Sequence, residues 1–320
     1  MEHETRLGQS DLYVPRMGLG AMTWGEAKGL ARLHPAKTAY GGAHGADEEK
    51  RAFELSIEKG VNLFDTAAMY SGGASERRVG ELTHGSDAII ASKFPGGFSF
   101  KAEDFPRELE ASLGRLRCST IDLYQHHFPS GRISIPQLMN RLADAVEAGK
   151  VKAVGVSNYS AAQMREAHAA LAKRGIPLAS NQVEYSLLHR QPEVNGVLDA
   201  CRELGITLIA YSPLAGGALT GKYDAKNRAG GFFRRIQPNF GKKAMDAIQP
   251  VIGLLREIGD RYSKTPSQVA LRWLIENPVV LPIPGAKNAK QALDNAAALT
   301  FSLTPEEVEK LSQATMAWRK

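Results

Sequence analysis

From Asp47 onward the sequence alternates two kinds of segment, and this alternation limits the folds open to it more than any other feature. Helical patterns at 47–59, 75–83, 103–117, 135–148, 160–173 and 192–204 each lead into a short apolar run, at 61–65, 88–93, 121–127, 151–158, 178–182 and 206–211. After a longer excursion, helical patterns near 243–262 and 265–276 precede the run 279–283, and another at 289–298 follows it. Apolar runs this short, bounded by turn residues, read as buried strands. With Met17–Met22 as the first strand, the chain holds eight strand–helix units. Repeated units of this length imply a parallel sheet, and eight that close on themselves make a (β/α)8 TIM barrel of class α/β. Residues 4–16 precede it as a β-hairpin turning at Gln9-Ser10-Asp11, and the patterns beyond 243 add extra helices near the C-terminus. A chain of 320 residues suits one such barrel, so 1–320 is read as a single domain.

The ends of the strands carry the functional signal. In such barrels the active site is built at the C-terminal ends of the strands, from several loops at once. Asp65, Lys93, His127, Asn158, Gln182 and Tyr211 fall at that point of successive units. Polar side chains so consistently in phase are hard to account for as solvated loop residues. The richest stretch runs from Gly60 to Gly80, where Val61-Asn62-Leu63-Phe64 stops on Asp65 and Tyr70 follows in the next loop.

Several other classes are excluded or disfavoured. Gly18 and Gly20 do not make a dinucleotide fingerprint, because the spacing to later glycines is wrong and no acidic residue closes a second strand in the right place. No apolar run approaches the roughly 20 residues that cross a membrane. The N-terminal residues show neither a secretion nor a transit pattern, and Cys118 and Cys201 are the only cysteines, which suits a reducing compartment. A cytoplasmic setting is expected, or a plastid if a transit peptide has been removed. The net charge of +6 is too modest and dispersed to propose nucleic acid. Between Lys222 and Lys243, however, seven bases (Lys222, Lys226, Arg228, Arg234, Arg235, Lys242 and Lys243) face a single Asp224. That window reads either as a solvated loop or as a clamp for a phosphorylated cofactor or anionic substrate. Residues 26–46, with His34 and His44, read as a mobile loop beside the site, the histidines as solvated side chains, and no metal set is found.

The strand-end residues suggest one chemistry. A tyrosine is a poor acid at neutral pH, with a reference pKa of about 10, so a proton donor built on Tyr70 needs its phenolate stabilised. Lys93 can supply the positive charge, Asp65 can hold that lysine, and His127 can hydrogen-bond the oxygen of a bound carbonyl. The set has no nucleophile and no paired catalytic carboxylates. It suits protonation of the oxygen of an aldehyde or ketone that takes up a hydride, which must come from a cofactor because no side chain supplies one.

The blocks Ile90-Ala91-Ser92-Lys93, Asp122-Leu123-Tyr124-Gln125-His126-His127, Gly155-Val156-Ser157-Asn158-Tyr159, Asn181-Gln182-Val183-Glu184-Tyr185, Tyr211-Ser212-Pro213-Leu214 and Pro284-Gly285-Ala286-Lys287 occur in the order found in the aldo-keto reductases. With the Gly60–Gly80 stretch they make the chain resemble that family over residues 4–315, most closely a plant and cyanobacterial branch related to pyridoxal reductases and potassium-channel β subunits. The resemblance implies the same barrel, NADPH-dependent reduction of small carbonyl compounds, and catalytic roles for Asp65, Tyr70, Lys93 and His127. Strand alternation sends the adjacent His126 to the opposite face, and the family block selects His127.

Cofactor contacts are implied in the same way. Ser157, Asn158 and Gln182 would meet the nicotinamide carboxamide, Tyr211 would stack on the ring, and Ser212, Pro213, Leu214 and Gly216 would line the pyrophosphate with Lys222. Gly20, Ala21, Met22 and Asp65 complete the near side of the site. Lys287 would lie where the adenosine 2′-phosphate sits, which favours NADP(H) over NAD, with Gln291, Asp294 and Asn295 on the adenine side and Gly285 as a further cofactor contact in the preceding turn. Trp24 and Phe128, beside Tyr70 and His127, are expected as substrate-pocket walls, with Phe232 or Phe233 as further candidates. The alternative function is an NADP-binding regulatory or redox-sensing protein with slow turnover. Neither the substrate nor the oligomeric state is specified by these residues.

Overall fold

A computed structural model describes residues 4–26, 45–96, 100–129, 132–224, 227 and 238–320. Strands β1 (Glu4–Arg6) and β2 (Tyr13–Pro15) form the antiparallel hairpin, Thr5 opposite Val14, with Leu7 N–H donating to Leu12 O across the turn. Leu7 and Val14 are wholly buried against Leu63, Leu123, Ile209 and Leu281, so the hairpin plugs one end of the barrel.

Eight parallel strands follow in sequence order: β3 (Leu19–Gly20), β4 (Leu63–Asp65), β5 (Ile89–Phe94), β6 (Ile121–His126), β7 (Val151–Ser157), β8 (Leu178–Glu184), β9 (Thr207–Tyr211) and β10 (Val280–Pro282). The sheet curls until its edges meet, with Gly18 N–H donating to Pro282 O (3.0 Å), Gly20 N–H to Pro284 O (3.1 Å) and Gly20 bridging to Gly285. Gly20 lets the two edges approach closely, because a Cβ there would lie 3.1 Å from Ile283 O and press on that carbonyl. The barrel is therefore closed.

The outer layer comprises α1 (Ala46–Glu58), α2 (Ala74–Thr83), α3 (Phe105–Leu116), α4 (Ile135–Glu147), α5 (Ala161–Ala172), α6 (Val197–Leu204), α7 (Lys242–Tyr262), α8 (Pro266–Ile275), α9 (Ala289–Ala296) and α10 (Pro305–Ala314). Local chemistry sets several starts: Ser160 with Gln163, Thr265 with Gln268 and Thr304 with Glu307 form capping boxes that satisfy backbone N–H groups otherwise left open at a helix start. Most of the apolar core lies between this layer and the sheet. No helix among the described residues is long and apolar enough to cross a membrane.

Two elements depart from the sequence expectation. The helix expected over 192–204 is split into a 3-10 turn at Gln191–Glu193 and α6, because Gly196 turns left-handed (φ 81°) and the Asn195 side chain accepts from Val197 N–H. Helix α10 lies beyond the last helical pattern expected at 289–298, and Thr-x-x-Glu at 304–307 marks its start. Residues 27–44, which contain His34 and His44, lie outside the described residues, as do Lys226, Arg228, Arg234, Arg235, Phe232 and Phe233.

Candidate active site

The strand ends meet in one buried polar cluster. Asp65 closes β4 and Lys93 lies one residue from the end of β5, and Lys93 Nζ donates to Asp65 Oδ1 at 2.6 Å and to Thr66 O at 2.8 Å. Lys93 is fully buried and Asp65 nearly so. Burial alone would lower the lysine pKa, but the Asp65 carboxylate and the Tyr70 phenol outweigh it, and the net direction is upward. Lys93 is therefore a buried, permanently charged ammonium at neutral pH.

Tyr70 reaches this ammonium from the loop after β4. Its placement depends on a sharp turn: Ser71, Gly72 and Gly73 all have positive φ (53°, 63° and 80°) before α2 begins. Two of the three are glycines, the residue that adopts this conformation without strain. Lys93 Nζ lies 5.0 Å from the centre of the Tyr70 ring. Burial pushes the phenol above the usual tyrosine value, and the Lys93 charge opposes that push. Tyr70 is thus protonated at neutral pH.

His127 follows β6, its N–H bonded to Phe94 O (3.1 Å) and its ring edge-on to Tyr70 with centres 5.6 Å apart. Burial, with Lys93 nearby, lowers its pKa to about 2, so the imidazole is neutral. Phe128 stacks on it at 4.3 Å and is 41% exposed, which leaves an apolar surface beside the cluster. His126 points into the helix layer, as strand alternation requires, with Nδ1 2.7 Å from Tyr159 OH.

The neighbouring strand ends bring further amides and hydroxyls together. Asn158 Nδ2 donates to His127 O and to Ser157 Oγ, both at 3.1 Å, and Asn158 Oδ1 accepts from Tyr211 OH at 3.1 Å. Ser157 Oγ donates to Gln182 O (2.8 Å), and Gln182 Nε2 donates to Asp65 Oδ2 (2.8 Å). Asn158 holds a left-handed backbone (φ 61°), a conformation that persists where surrounding structure enforces it. The segment after β9 bends left-handed at Ser212, Ala215, Gly216 and Gly217. The two glycines keep side chains away from this backbone, as a loop accepting a large anion requires. Pro213 is buried and Leu214 partly so, and Lys222 stands exposed at the end of the segment.

On the other side of the seam, Ala21 N–H donates to Asp65 O (2.7 Å) and Ala21 O accepts from Ser75 Oγ (2.7 Å), which fixes the backbone of Gly20, Ala21 and Met22. The turn 284–288 opens α9, with Lys287 N–H bonded to Gln291 Oε1 (2.9 Å) and Gly285 O accepting from Asn295 Nδ2 (3.2 Å). Asp294 pairs with Lys290 at 2.7 Å. The donor set fits a dinucleotide: amides and hydroxyls beside an aromatic ring for the nicotinamide end, a glycine-rich bend for the diphosphate, and a lysine before a helix start for a phosphate.

One expected residue sits differently. Trp24 is 1% exposed, packed on Phe64, and donates its Nε1–H to Ala286 O at 2.7 Å. It fastens the 284–288 turn and presents no open face to a substrate pocket. Two residues were missed. Gln125 Nε2 reaches Asp65 Oδ2 at 3.4 Å and Gln125 Oε1 accepts from Ser180 Oγ at 3.3 Å, forming a polar floor under the cluster. The alternation Leu123, Gln125, His127 along one strand face was the available signal.

Fold and site together are those of a barrel oxidoreductase. The model of the Aldo/keto reductase family matches residues 16–315. An uncharacterised oxidoreductase of Mycobacterium tuberculosis is 37% identical over 96% of this chain and 91% of its own length. The chloroplastic pyridoxal reductase of Arabidopsis thaliana is 35% identical, covering 95% of this chain and 84% of its own. A crystal structure of an aldo/keto reductase from Klebsiella pneumoniae in complex with NADP and acetate superposes with a TM-score of 0.72 at 26% identity, over 100% of this chain and 97% of that one. The chain belongs to the aldo/keto reductase family, and it is an NADP(H)-dependent oxidoreductase.

Proposed function

We propose that this protein, acting as one barrel domain, reduces small aldehydes or ketones to alcohols with NADPH. The observation that carries this reading is the Tyr70–Lys93–Asp65 arrangement, a protonated phenol beside a buried ammonium that is 2.6 Å from its carboxylate partner. When bound, NADPH supplies the hydride to the carbonyl carbon. Tyr70 supplies the proton to the carbonyl oxygen, and its phenolate is stabilised by Lys93 as the proton leaves. Asp65 holds Lys93 in place, and neutral His127 offers a hydrogen bond to the same oxygen. Ser157, Asn158 and Gln182 would orient the nicotinamide carboxamide, with Tyr211 against the ring. Ser212, Leu214, Gly216 and Lys222 would hold the diphosphate, and Lys287 the 2′-phosphate. The exposed face of Phe128 gives the substrate side an apolar wall, which suits carbonyl compounds with an aromatic or aliphatic body.

The test is nicotinamide absorbance on mixing the protein and NADPH with a panel of aldehydes. Pyridoxal, the aldehyde in the name of the Arabidopsis relative, belongs in the panel beside simple aromatic and aliphatic members. Oxidation of NADPH by any member supports the reading. Tight NADPH binding with no turnover across the panel would sink it.

A further inference from the structure

We propose that Trp24 is a positioning residue for cofactor choice: by fixing the peptide group that precedes Lys287, it sets the preference for NADPH over NADH. The proposal rests on the reading that Lys287 meets the 2′-phosphate.

The peptide between Ala286 and Lys287 is gripped at both of its polar ends. Its carbonyl oxygen, Ala286 O, accepts from Trp24 Nε1 at 2.7 Å, and its N–H, that of Lys287, donates to Gln291 Oε1 at 2.9 Å. Because a peptide group is planar, two bonds at opposite ends fix its orientation, and with it the N–Cα bond from which the Lys287 side chain departs. The two grips come from different parts of the molecule. Gln291 belongs to α9, on the same chain segment as the turn, whereas Trp24 reaches across the barrel seam from the segment after β3, 262 residues earlier than its acceptor. Among the described residues, the seam's own backbone contacts reach as far as Pro284 and Gly285. Trp24 carries the attachment one residue further, to the peptide that matters for Lys287.

Trp24 is itself held firmly enough to act as a reference point. Its own N–H donates to Ala21 O (2.9 Å), and the following Gly25 N–H donates to Glu49 Oε1 (3.0 Å), whose other oxygen pairs with the largely buried Arg78 at 2.9 Å. Gly25 has φ +77°, and a Cβ there would run into the Ala74 backbone, so the segment cannot easily shift. Lysine is long and flexible, and a phosphate contact made by it gains when the backbone that aims it is already fixed. NADH lacks the 2′-phosphate, so its affinity does not depend on that aim.

The experiment is calorimetric titration of the purified protein with NADPH and with NADH, for wild type, Lys287→Ala, Trp24→Phe and the Trp24→Phe, Lys287→Ala double variant. Removing one buried hydrogen bond at this turn is expected to weaken NADPH about tenfold and NADH less than about twofold. In the double variant the ratio of the two Kd values should match that of Lys287→Ala alone. If Lys287→Ala weakens NADPH selectively while Trp24→Phe leaves the ratio unchanged, the inference on Trp24 is overturned and the 2′-phosphate reading stands. If Lys287→Ala weakens both cofactors equally, the reading falls and the inference falls with it. Thermal unfolding establishes that each variant is folded. Should Trp24→Phe not fold, Trp24→Met removes the same indole donor with a more adaptable side chain, and an unchanged ratio there overturns the proposal equally.

Discussion

Gly155 and Ser180 occupy one space inside the barrel: a Cβ on Gly155 would collide with Ser180 Oγ and come within 2.8 Å of Gln125 Cγ. The absence of a side chain on β7 is therefore what lets Ser180 and Gln125 meet beneath Asp65. Gly155→Ala should overpack this layer and lower the free energy of unfolding by about 1–3 kcal/mol. Thermal and urea unfolding of the variant would read the loss, and an unchanged midpoint would show that the layer has room to spare.

Gln125 tests the polar floor more gently. Its contact with Asp65 is long at 3.4 Å, so Gln125→Met, which keeps the volume, should lower kcat by only about 2–10-fold. NADPH affinity should be unchanged. A fall in affinity without a fall in kcat would place Gln125 in cofactor binding instead.

Tyr70→Phe removes the proposed proton donor and little else. Loss of a general acid is expected to reduce turnover by about 10²–10⁴-fold, while calorimetric NADPH binding stays near that of wild type. Near-normal turnover in this variant would show that another group delivers the proton.

The two adjacent histidines should make the fold sensitive to acid. Burial lowers His126 to about 4, and burial with Lys93 nearby lowers His127 to about 2, whereas both return to about 6.5 on unfolding. The unfolded chain then takes up protons that the folded one refuses. Their contribution is complete above about pH 6.5 and is lost as pH falls, each at up to about 1.4 kcal/mol per pH unit down to its folded value. Urea unfolding at pH 7.5, 6 and 5 should show a shallower decline for His126→Phe than for wild type. Parallel declines would mean that His126 keeps its ordinary pKa in the fold.

Much of this arrangement was legible in the sequence because a barrel ties function to position. Once the strands were placed by their apolar runs, Asp65, Lys93, His127, Asn158, Gln182 and Tyr211 followed as their ends, and the hairpin followed from Gln9-Ser10-Asp11. What stayed hidden depends on contacts between distant parts of the chain. Trp24 looks like a pocket wall beside the site, and only its neighbour Ala286, across the seam, shows that its indole N–H is already committed. Gln125 and Ser180 sit one layer below the strand ends, where a local reading sees only an interrupted apolar strand. Helix α10 is a different case, since its capping box is written locally at Thr304 and Glu307 and depends on no distant contact.

The seam between Gly20 and Gly285 also bears on how the protein is made. The barrel's first strand finds its second neighbour only when residues 282–285 have been synthesised, long after β3 itself. A chain growing from its N-terminus is expected to carry β3 as an open edge until then, the kind of edge to which other strands attach. Chains stopped before Val280 should then be cut by protease near β3 and tend to aggregate, while the finished chain resists both. The last strand is thus also the event that ends the protein's most vulnerable period.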